Sequence, residues 1–348
     1  MKTLLLTLDY ELYGNGTGDV FTHIIEPTYR ILDIVRKYGV KITVFFEVVE
    51  YWRLKEEWDK GNKMGYRENP ITAMEDQIRM AYQEGHDIQL HIHPQWVDAY
   101  YVHGKWNVNF EAWRLGSYER EGKYSLANLL KEGKRTIESI INEIDPNYKC
   151  IALRAGGYNI QPSAKIVRAM KETGIYIDSS VYPGGLEKGN LSNYDYSKVP
   201  VNIGWWHTGD FLEEKGEEEL IELPIVAFPI TRWRKYLSIA RILSLFRNRE
   251  SAKETFEAKT GGKRKAYLSK IKFFREKEWQ TWDYCLFSAS QHGKYLSLIN
   301  KQLDRDVFVL VGHPKSFVTG RTFEFLLRKT NGKFGFKTIS QAEHLFTN

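Results

Sequence analysis

The stretch TLLLTLDYE, residues 3–11, decides the fold because an apolar run passes directly into two carboxylates. A near-continuous apolar run of this length is typical of a short strand that is buried on both faces of a parallel sheet. Successive side chains of a strand point to opposite faces, so Asp9 and Glu11 share one side and Tyr10 lies on the other. In barrels of parallel strands, active sites form at the carboxyl ends of the strands. The stretch therefore predicts a buried strand whose end carries functional acidic groups.

Further apolar runs of the same kind alternate along the chain with segments of helical period. That period is clearest in residues 31–38, where apolar side chains recur three, four and seven positions apart, and Gly39 then ends the helix. The alternation predicts an α/β architecture with parallel strands, and the number of strand–helix units favours a closed barrel over an open sheet. The runs that we interpret as strands are residues 3–8, 40–49, 87–94, 150–154, 175–178, 220–230 and 307–314.

The composition, with 42% hydrophobic and 27% charged residues among 348, is that of a globular protein with a sizeable core. Only two cysteines occur, which excludes a disulfide framework and a cysteine-rich zinc site. No apolar run reaches the roughly 18 residues that a membrane-spanning helix needs, and nothing resembles a signal peptide. We therefore expect a cytoplasmic protein.

Positive charge is concentrated in residues 231–277, which hold 15 Lys and Arg against 4 Glu in a chain of net charge +6. This region does not follow the strand–helix alternation, so we expect a helical insertion at about residues 230–280 of a single domain that spans residues 1–348. Four apolar residues share one face of its first predicted helix: Ile239, Ile242, Leu243 and Phe246. Cationic amphipathic helices with aromatic margins are typical of anionic membrane surfaces, and we expect peripheral contact with the inner membrane. No nucleic-acid-binding motif accompanies the charge, so no nucleic-acid partner is expected.

Polar residues also collect at the ends of the other predicted strands. His91 and His93 are spaced by two on one face of their strand, Arg154 and Asp178 end two more strands, and His313 ends the last one. Two imidazoles and a carboxylate make a divalent metal site, and zinc accepts these ligands. A second carboxylate could take a proton from water, an arginine could hold that carboxylate ionised, and a further histidine could protonate a leaving group. The pattern therefore predicts metal-assisted hydrolysis of an amide or ester.

Five short motifs give the chain a resemblance to a known family. LTLDYE, GHDIQLHIHP, LRAGGY, IDSS and LVGHP follow one another in the order of the five motifs of the polysaccharide deacetylases, the NodB-like carbohydrate esterases. The resemblance covers most of the chain outside the basic insertion, and it is strongest to the cytoplasmic members found in bacterial surface-polysaccharide clusters. It implies a distorted (β/α)7 barrel and removal of N- or O-acetyl groups with a bound metal, most often Zn2+.

The resemblance also implies roles for individual residues. Asp9 is the expected catalytic base, Arg154 its partner, His313 the catalytic acid and His91 a metal ligand. The commonest first motif has a second Asp where this chain has Tyr10, and Glu11 then fits the metal carboxylate of other relatives.

The second motif also departs from the commonest form. There the second histidine stands four positions after the first, where this chain has Gln95, and the extra imidazole here is His93. We expect Glu11, His91 and His93 to bind the metal, with Gln95 as the alternative oxygen ligand. Substrate contacts are expected from Tyr10, Gln95, Gly156, Gly157, Tyr158, Asp178 and Trp206.

The function predicted from these features is deacetylation of a sugar during the synthesis of a surface polysaccharide such as an O-antigen. The expected substrate is an acetylated sugar or a lipid-linked glycan. Two alternatives remain open, namely a hydrolase of small linear or cyclic amides on the same fold, and a glycan-binding protein whose metal site has decayed.

Overall fold

The fold is described from a computed structural model, in which residues 1–249 and 275–346 are described, except for the side chains of residues 235–237. The strands are β1 (Thr3–Tyr10), β2 (Thr43–Glu47), β3 (Asp87–Ile92), β4 (Tyr100–Val102), β5 (Lys105–Asn107), β6 (Ala152–Ala155), β7 (Ile177–Asp178), β8 (Leu186–Lys188), β9 (Asn193–Asp195), β10 (Trp206–His207), β11 (Ile221–Glu222), β12 (Ala227–Thr231), β13 (Lys277–Thr281), β14 (Val307–Gly312) and β15 (Gly335–Phe336). The α-helices are α1 (Glu26–Lys37), α2 (Val48–Asp59), α3 (Pro70–Gln83), α4 (Leu126–Asn142), α5 (Ala164–Thr173), α6 (Ile239–Arg247), α7 (Ala289–Asn300), α8 (Arg321–Thr330) and α9 (Ile339–Ala342).

Seven parallel strands form the central sheet in the order β11-β7-β6-β3-β2-β1-β14. The sheet curls until its two ends meet, because Ile225, just after β11, pairs in parallel with Val309 of β14. The backbone N–H of Val226 donates to the carbonyl of Val309 over 2.9 Å at the same point. The structure thus confirms the expected fold class, a distorted (β/α)7 barrel. The residues of β1, β2, β3 and β14 are buried throughout, which explains their near-continuous apolar sequences.

The barrel is distorted on one side by a short segment, Trp282–Tyr284. The N–H of Trp282 donates to the carbonyl of Val226. The N–H of Val311 donates to the carbonyl of Trp282, and the N–H of Tyr284 donates to the carbonyl of Val311. The segment therefore lies between β14 and the residues that follow β11, at the point where these two parts of the barrel would otherwise pair. The segment Trp282–Tyr284 brings Asp283 to the carboxyl end of β14, beside the residue that follows that strand.

The basic region leaves the barrel through a two-stranded ribbon. Strands β12 and β13 pair in antiparallel fashion from Ala227–Thr281 to Thr231–Lys277, so the two ends of the region lie side by side. Helix α6 follows β12 after a 3₁₀ turn and begins at an N-cap, Ser238, whose side chain accepts from the N–H of Arg241. The expected insertion at about 230–280 is helical in α6, and residues 250–274 of it lie outside the described residues.

Several of the predicted strands are shorter than expected, and two of them have clear local reasons. The run 40–49 ends as a strand at Glu47, whose side chain accepts from the N–H groups of Val49 and Glu50 and so starts α2. The run 220–230 divides into β11 and β12 around Pro224, which cannot donate to a ladder. Among the described residues, no helix is long and apolar enough to cross a membrane.

Candidate functional site

The end of β1 holds an ion pair in the middle of the barrel. Arg154 of β6 donates from Nη1 to Oδ1 of Asp9 and to Oγ1 of Thr7, each over 2.7 Å. Its other guanidinium nitrogens donate to the carbonyl and the hydroxyl of Ser179, so each of the three nitrogens makes a hydrogen bond within the buried interior. Burial raises the pKa of Asp9, but the Arg154 charge and the nearby imidazoles outweigh burial and leave that pKa below its ordinary value. Asp9 is therefore a buried carboxylate that is held ionised.

Three potential metal ligands converge beside Asp9. Oε2 of Glu11 lies 2.5 Å from Nε2 of His93 and 3.3 Å from Nε2 of His91, and the three groups are buried. The spacing of two places both imidazoles on the inner side of the barrel, with His91 at the end of β3 and His93 just beyond it. The structure thus brings together the two histidines and the carboxylate that the sequence analysis expected to bind a metal.

Each imidazole is fixed by a hydrogen bond at its other nitrogen. Nδ1 of His91 lies 2.8 Å from the carbonyl oxygen of Arg154, so this nitrogen is the donor and Nε2 of His91 keeps a free lone pair. Nδ1 of His93 lies 2.7 Å from the amide nitrogen of Gln95, whose amide also donates to the carbonyl of Gly14. Gln95 thus contacts the imidazole through its amide nitrogen, and its role as the alternative oxygen ligand stays a prediction. If the amide instead turned its oxygen to Nδ1, the proton would lie there and Nε2 of His93 would be free to bind an ion.

The donor set fits a divalent cation. Two imidazole nitrogens and one carboxylate oxygen, all within 4.8 Å of one another, are ligands that zinc binds while keeping a position open. Among the described residues, Nε2 of His93 has no aligned hydrogen-bond partner although it is buried, and burial lowers the pKa of this imidazole. A buried imidazole nitrogen held 2.5 Å from a carboxylate oxygen without an aligned hydrogen bond is an arrangement that a divalent cation would bridge. The residues present therefore fit the implied metal.

Lys315 adds a cation to this cluster. Its ammonium lies 2.7 Å from Oε1 of Glu11 and also donates to the carbonyl of Leu12 over 2.6 Å. Burial raises the pKa of Glu11, but the charges of Lys315 and His93 outweigh it and hold that pKa well below its ordinary value. The Lys315 ammonium contacts one oxygen of the Glu11 carboxylate, and the other oxygen faces the imidazoles. Glu11 is thereby oriented as well as ionised.

His313 follows β14 and faces the same cluster from the other side. Its Nε2 lies 3.5 Å from Oδ2 of Asp9 and 3.9 Å from Oε1 of Glu11, and its Nδ1 lies 3.0 Å from Oδ2 of Asp283. Burial lowers the pKa of His313, but the hydrogen bond and charge of Asp283, with the charge of Asp9, raise it above its ordinary value overall. His313 therefore holds a proton more readily than an ordinary histidine, and its Nε2 is directed inward.

Small and aromatic residues after β6 close the site. A side chain at Gly156 would place its Cβ 2.4 Å from Nδ1 of His93, so only glycine allows the backbone to approach that ring. Gly157 and Tyr158 both have positive φ, which turns the chain sharply here. Burial and the charge of Asp9 raise the pKa of Tyr158 well above its ordinary value, so its hydroxyl remains protonated near the carboxylates. The expected glycine pair and tyrosine thus lie at the site.

Three expected substrate-contacting residues have other partners. Tyr10 is buried on the outer side of β1, where its hydroxyl donates to Gln77 of α3. The carboxylate of Asp178 accepts from the N–H and the hydroxyl of Ser180. Trp206 is buried and donates from Nε1 to the carbonyl of Leu212. These contacts engage the polar atoms within the protein, and the suggested substrate contacts of Tyr10, Asp178 and Trp206 stay predictions.

Asp283 and Lys315 belong to the site, although no sequence pattern predicts a role for them. Asp283 stands in the stretch WDYC after the basic region, outside every predicted strand, so no pattern linked it to His313. Lys315 follows His313 by two positions, but it lies in the 3₁₀ turn Pro314–Ser316, so the alternation of a strand does not predict where its side chain points. Thr7, in contrast, was available from the sequence, since it precedes Asp9 by two positions and shares its face.

An aromatic wall stands beside the imidazoles. Phe110 and Trp113 are stacked with ring centroids 5.8 Å apart, and the Trp113 ring meets the His93 ring edge-on at 6.4 Å. Phe110 is exposed at 36%, whereas Trp113 is buried, so the pair runs from the surface towards the ligands. Aromatic faces of this kind supply apolar contact next to polar chemistry.

Comparison with known proteins gives similarity of fold without close relatives. No protein-family model matches the chain, and no curated protein matches it significantly. Among solved structures, the GH57-type branching enzyme from Pyrococcus horikoshii aligns with a TM-score of 0.50 at 10% identity, over 100% of this chain and 71% of that one. A protein from Mycobacterium smegmatis assigned as a polysaccharide deacetylase gives 0.46 at 13% identity, over 98% and 89% of the two chains. The Puue allantoinase gives 0.44 at 12% identity, over 98% and 89%. At these identities the similarity concerns the fold alone.

Proposed function

We propose that this protein is a metal-dependent hydrolase that removes acetyl groups from a sugar. The observation that carries the proposal is the convergence of an ionised carboxylate, an imidazole whose pKa is raised, and a three-ligand cluster. Nε2 of His313 lies 3.5 Å from Asp9 and 3.9 Å from Glu11, and Glu11 contacts both His91 and His93. Hydrolysis of an acyl group needs these parts: a base for water, an acid for the leaving group and stabilisation of an oxyanion.

The proposed ligands are His91, His93 and Glu11, and the ion that we propose is Zn2+. When bound, such an ion polarises an acyl oxygen and lowers the pKa of water in contact with it. Glu11 enters this arrangement already ionised because of Lys315. His91 enters with Nε2 free because its Nδ1 is tied to the Arg154 carbonyl.

Asp9 is the proposed general base. Its pKa is kept low, so it is ionised and ready to accept a proton from water at neutral pH. The guanidinium of Arg154 engages Oδ1, and Oδ2 faces His313 and the open side of the cluster. Arg154 therefore holds the carboxylate in place and leaves one oxygen for the proton.

His313 is the proposed general acid. Asp283 binds Nδ1 and raises the tendency of the ring to hold a proton, which leaves Nε2–H to donate to the departing amine or alcohol. Asp9 takes a proton from water and His313 gives a proton to the leaving group, so the two residues together complete one hydrolysis. Exchange with solvent then resets both groups.

A sugar substrate is supported by the aromatic wall and by the motif resemblance. Phe110 and Trp113 offer an apolar surface that reaches the ligands, as sugar rings and acetyl methyl groups require. The same motifs underlie the proposal that the substrate belongs to the cytoplasmic synthesis of a surface polysaccharide, such as an O-antigen.

A non-catalytic glycan-binding protein is the second candidate, and one observation favours it. The Lys315 ammonium occupies Oε1 of Glu11, and a cation at that position competes electrostatically with a divalent ion. The test is to measure acetate release from acetylated oligosaccharides together with metal content after zinc supplementation. One zinc per chain with acetate release supports the hydrolase. A chain that stays free of metal and inactive supports the binding protein, whereas release of other acids from small amides points to an amide hydrolase.

A further inference from the structure

Helix α6 presents its apolar side chains to solvent instead of to the barrel. It buries its small and polar residues, Ala240 and Ser244, against the body of the protein. Its exposed residues include Ile239 at 70% and Phe246 at 73%, and the others in this surface are Trp233, Ile242, Leu243 and Leu245. We call these six exposed residues the α6 apolar face. Helices on globular proteins normally turn such residues inward, so the reversed orientation indicates a surface built for an apolar partner.

The orientation of α6 is fixed by polar contacts at both of its ends. At the start, the hydroxyl of Ser238 donates to the carbonyl of Leu286 and accepts from the first turn of the helix. At the end, Arg247 donates to the carbonyl of Thr22 over 2.7 Å, and Asn248 donates to Ser244. These contacts hold the polar side against the protein and keep the apolar face outward.

The charge around the α6 apolar face is of one sign. Residues 232–249 contain six Lys and Arg and no Asp or Glu. Arg232 is neutralised by Glu276 and Glu278 at the base of the ribbon. Among the side chains that the structure describes, Arg234, Arg241, Arg247 and Arg249 stand next to the apolar residues in the sequence. A surface with aliphatic and aromatic side chains between cations fits an anionic lipid bilayer, where apolar groups enter the interface and cations meet phosphate headgroups.

Other occupants fit less well. In a symmetric dimer, α6 would face a second copy of itself, and the cations of the two copies would repel one another. A nucleic acid would satisfy the cations, but it offers no apolar environment for Leu243 or Phe246. Trp233 at the margin is also the residue type that prefers the boundary between headgroups and acyl chains.

We infer that α6 docks this protein onto an anionic membrane surface, with the α6 apolar face in the interface. The docked helix leads to the candidate site, because Asn248 at its end donates to the carbonyl of Lys315. Lys315 in turn contacts Glu11. The end of the docked helix therefore lies beside a residue of the candidate site. If the proposed deacetylation is correct, the sugar is presented there on a lipid anchor; the docking itself does not depend on that reaction.

The first experiment measures cosedimentation of the full chain with vesicles of phosphatidylcholine, with and without phosphatidylglycerol. We expect binding to the anionic vesicles to be at least about tenfold tighter, and to weaken as salt is added. Leu243→Glu with Phe246→Glu should lower this binding at least about tenfold, and Arg249→Gln about fivefold. Leu303→Glu is the matched control, since Leu303 is 83% exposed and lies outside the face. Equal binding by the wild type and the double variant would overturn the inference.

A second experiment reports on the face itself. Cys150 and Cys285 are buried, so Phe246→Cys offers one accessible thiol for an environment-sensitive fluorophore. We expect its emission to shift to the blue when anionic vesicles are added and to stay unchanged with phosphatidylcholine alone. Emission that is already blue without vesicles and does not respond to them would mean that the chain or a second copy covers the face, which overturns the inference.

The docking and the proposed reaction can be tested independently, with one variant for each. Asp9→Asn should bind anionic vesicles as the wild type does, because the substitution lies in the barrel. The Leu243→Glu, Phe246→Glu variant should release acetate from a soluble substrate at the wild-type rate. Loss of vesicle binding in Asp9→Asn would contradict a surface confined to α6.

Discussion

Nδ1 of His313 lies 3.0 Å from Oδ2 of Asp283, although the two residues are 30 positions apart and only one of them follows a regular barrel strand. The segment Trp282–Tyr284 makes this contact possible by lying between the two ends of the curled sheet. The distortion of the barrel and the placement of the acid partner are therefore one structural feature. Burial alone would lower the pKa of His313, because it favours the neutral imidazole. The hydrogen bond and charge of Asp283 outweigh burial and raise that pKa.

Replacing Asp283 with Asn should narrow the pH range of activity. The raised pKa of His313 keeps its proton available above the ordinary histidine range, so the alkaline limb of the rate profile reflects loss of that proton. Without the carboxylate charge, that limb should move to lower pH, and activity on the alkaline side should fall about tenfold or more. The kcat/KM profile against pH measures the shift. Asp304→Asn, at an exposed position, serves as the control, and an unmoved limb would contradict the role of Asp283.

The same substitution has an expected sign for stability. A folded-state pKa above the unfolded value means that the native protein holds the proton more tightly. The stabilisation is fully present below the ordinary histidine pKa and is lost as the pH rises through the raised one. Asp283→Asn should therefore lower the free energy of unfolding more at acidic than at alkaline pH, as measured by urea titration.

Asp9→Asn separates the base from the metal ligands. The amide keeps the size of the side chain and cannot accept the proton of water, so acetate release should fall by about 10²–10⁴-fold. Glu11, His91 and His93 are unchanged, so zinc content per chain should remain that of the wild type. Elemental analysis and an acetate assay on the same sample test both statements. Full activity in this variant would remove Asp9 from the mechanism.

Gly156→Ala tests how closely the backbone must approach the ligands. The new Cβ would lie 2.4 Å from Nδ1 of His93, so the imidazole or the loop must move and zinc affinity should fall by about 10–100-fold. Gly293→Ala is a matched control, because nothing lies within 4 Å of the Cβ there and the position is in helix α7. Calorimetric titration with zinc compares the two. Equal affinities would show that His93 is not constrained by this contact.

The strand ends could be predicted because period and position are local properties. Asp9, His91 and Arg154 each end an apolar run, and parallel strands bring such ends to one edge of a barrel. Spacing by two also placed Glu11 beside Asp9 and His93 beside His91 on the inner side. These inferences needed only the alternation of side chains along a strand.

Other features could not be predicted because they depend on tertiary packing. Asp283 reaches His313 because the segment Trp282–Tyr284 lies between the two ends of the sheet, and no periodicity in the sequence predicts that position. The strand at 40–49 was overestimated because Val48 and Val49 favour strands, whereas the Glu47 side chain caps the helix that they begin. The outward orientation of the apolar face of α6 depends on the polar contacts that Ser238, Arg247 and Asn248 make with the rest of the protein, which the sequence does not show.

Lys315→Met should destabilise the protein without metal and make zinc more stabilising. The Glu11 carboxylate is held ionised within the barrel by the charges of Lys315 and His93, which outweigh the effect of burial on its pKa. Removing the ammonium leaves a buried charge without its cation, which costs about 3 kcal/mol of unfolding free energy. Because the lowered pKa of Glu11 stabilises the fold above the ordinary glutamate range, the loss should be largest near neutral pH and shrink as the pH falls.

Urea unfolding in chelator and in excess zinc measures both effects of this substitution. A bound cation replaces the missing ammonium, so the zinc-dependent increase in unfolding free energy should be greater in Lys315→Met than in the wild type. Lys301→Met, at an exposed position outside the cluster, should leave both values unchanged. Equal zinc increments in the variant and the wild type would mean that Lys315 and the ion do not compensate for the same carboxylate, and that Glu11 is not a metal ligand.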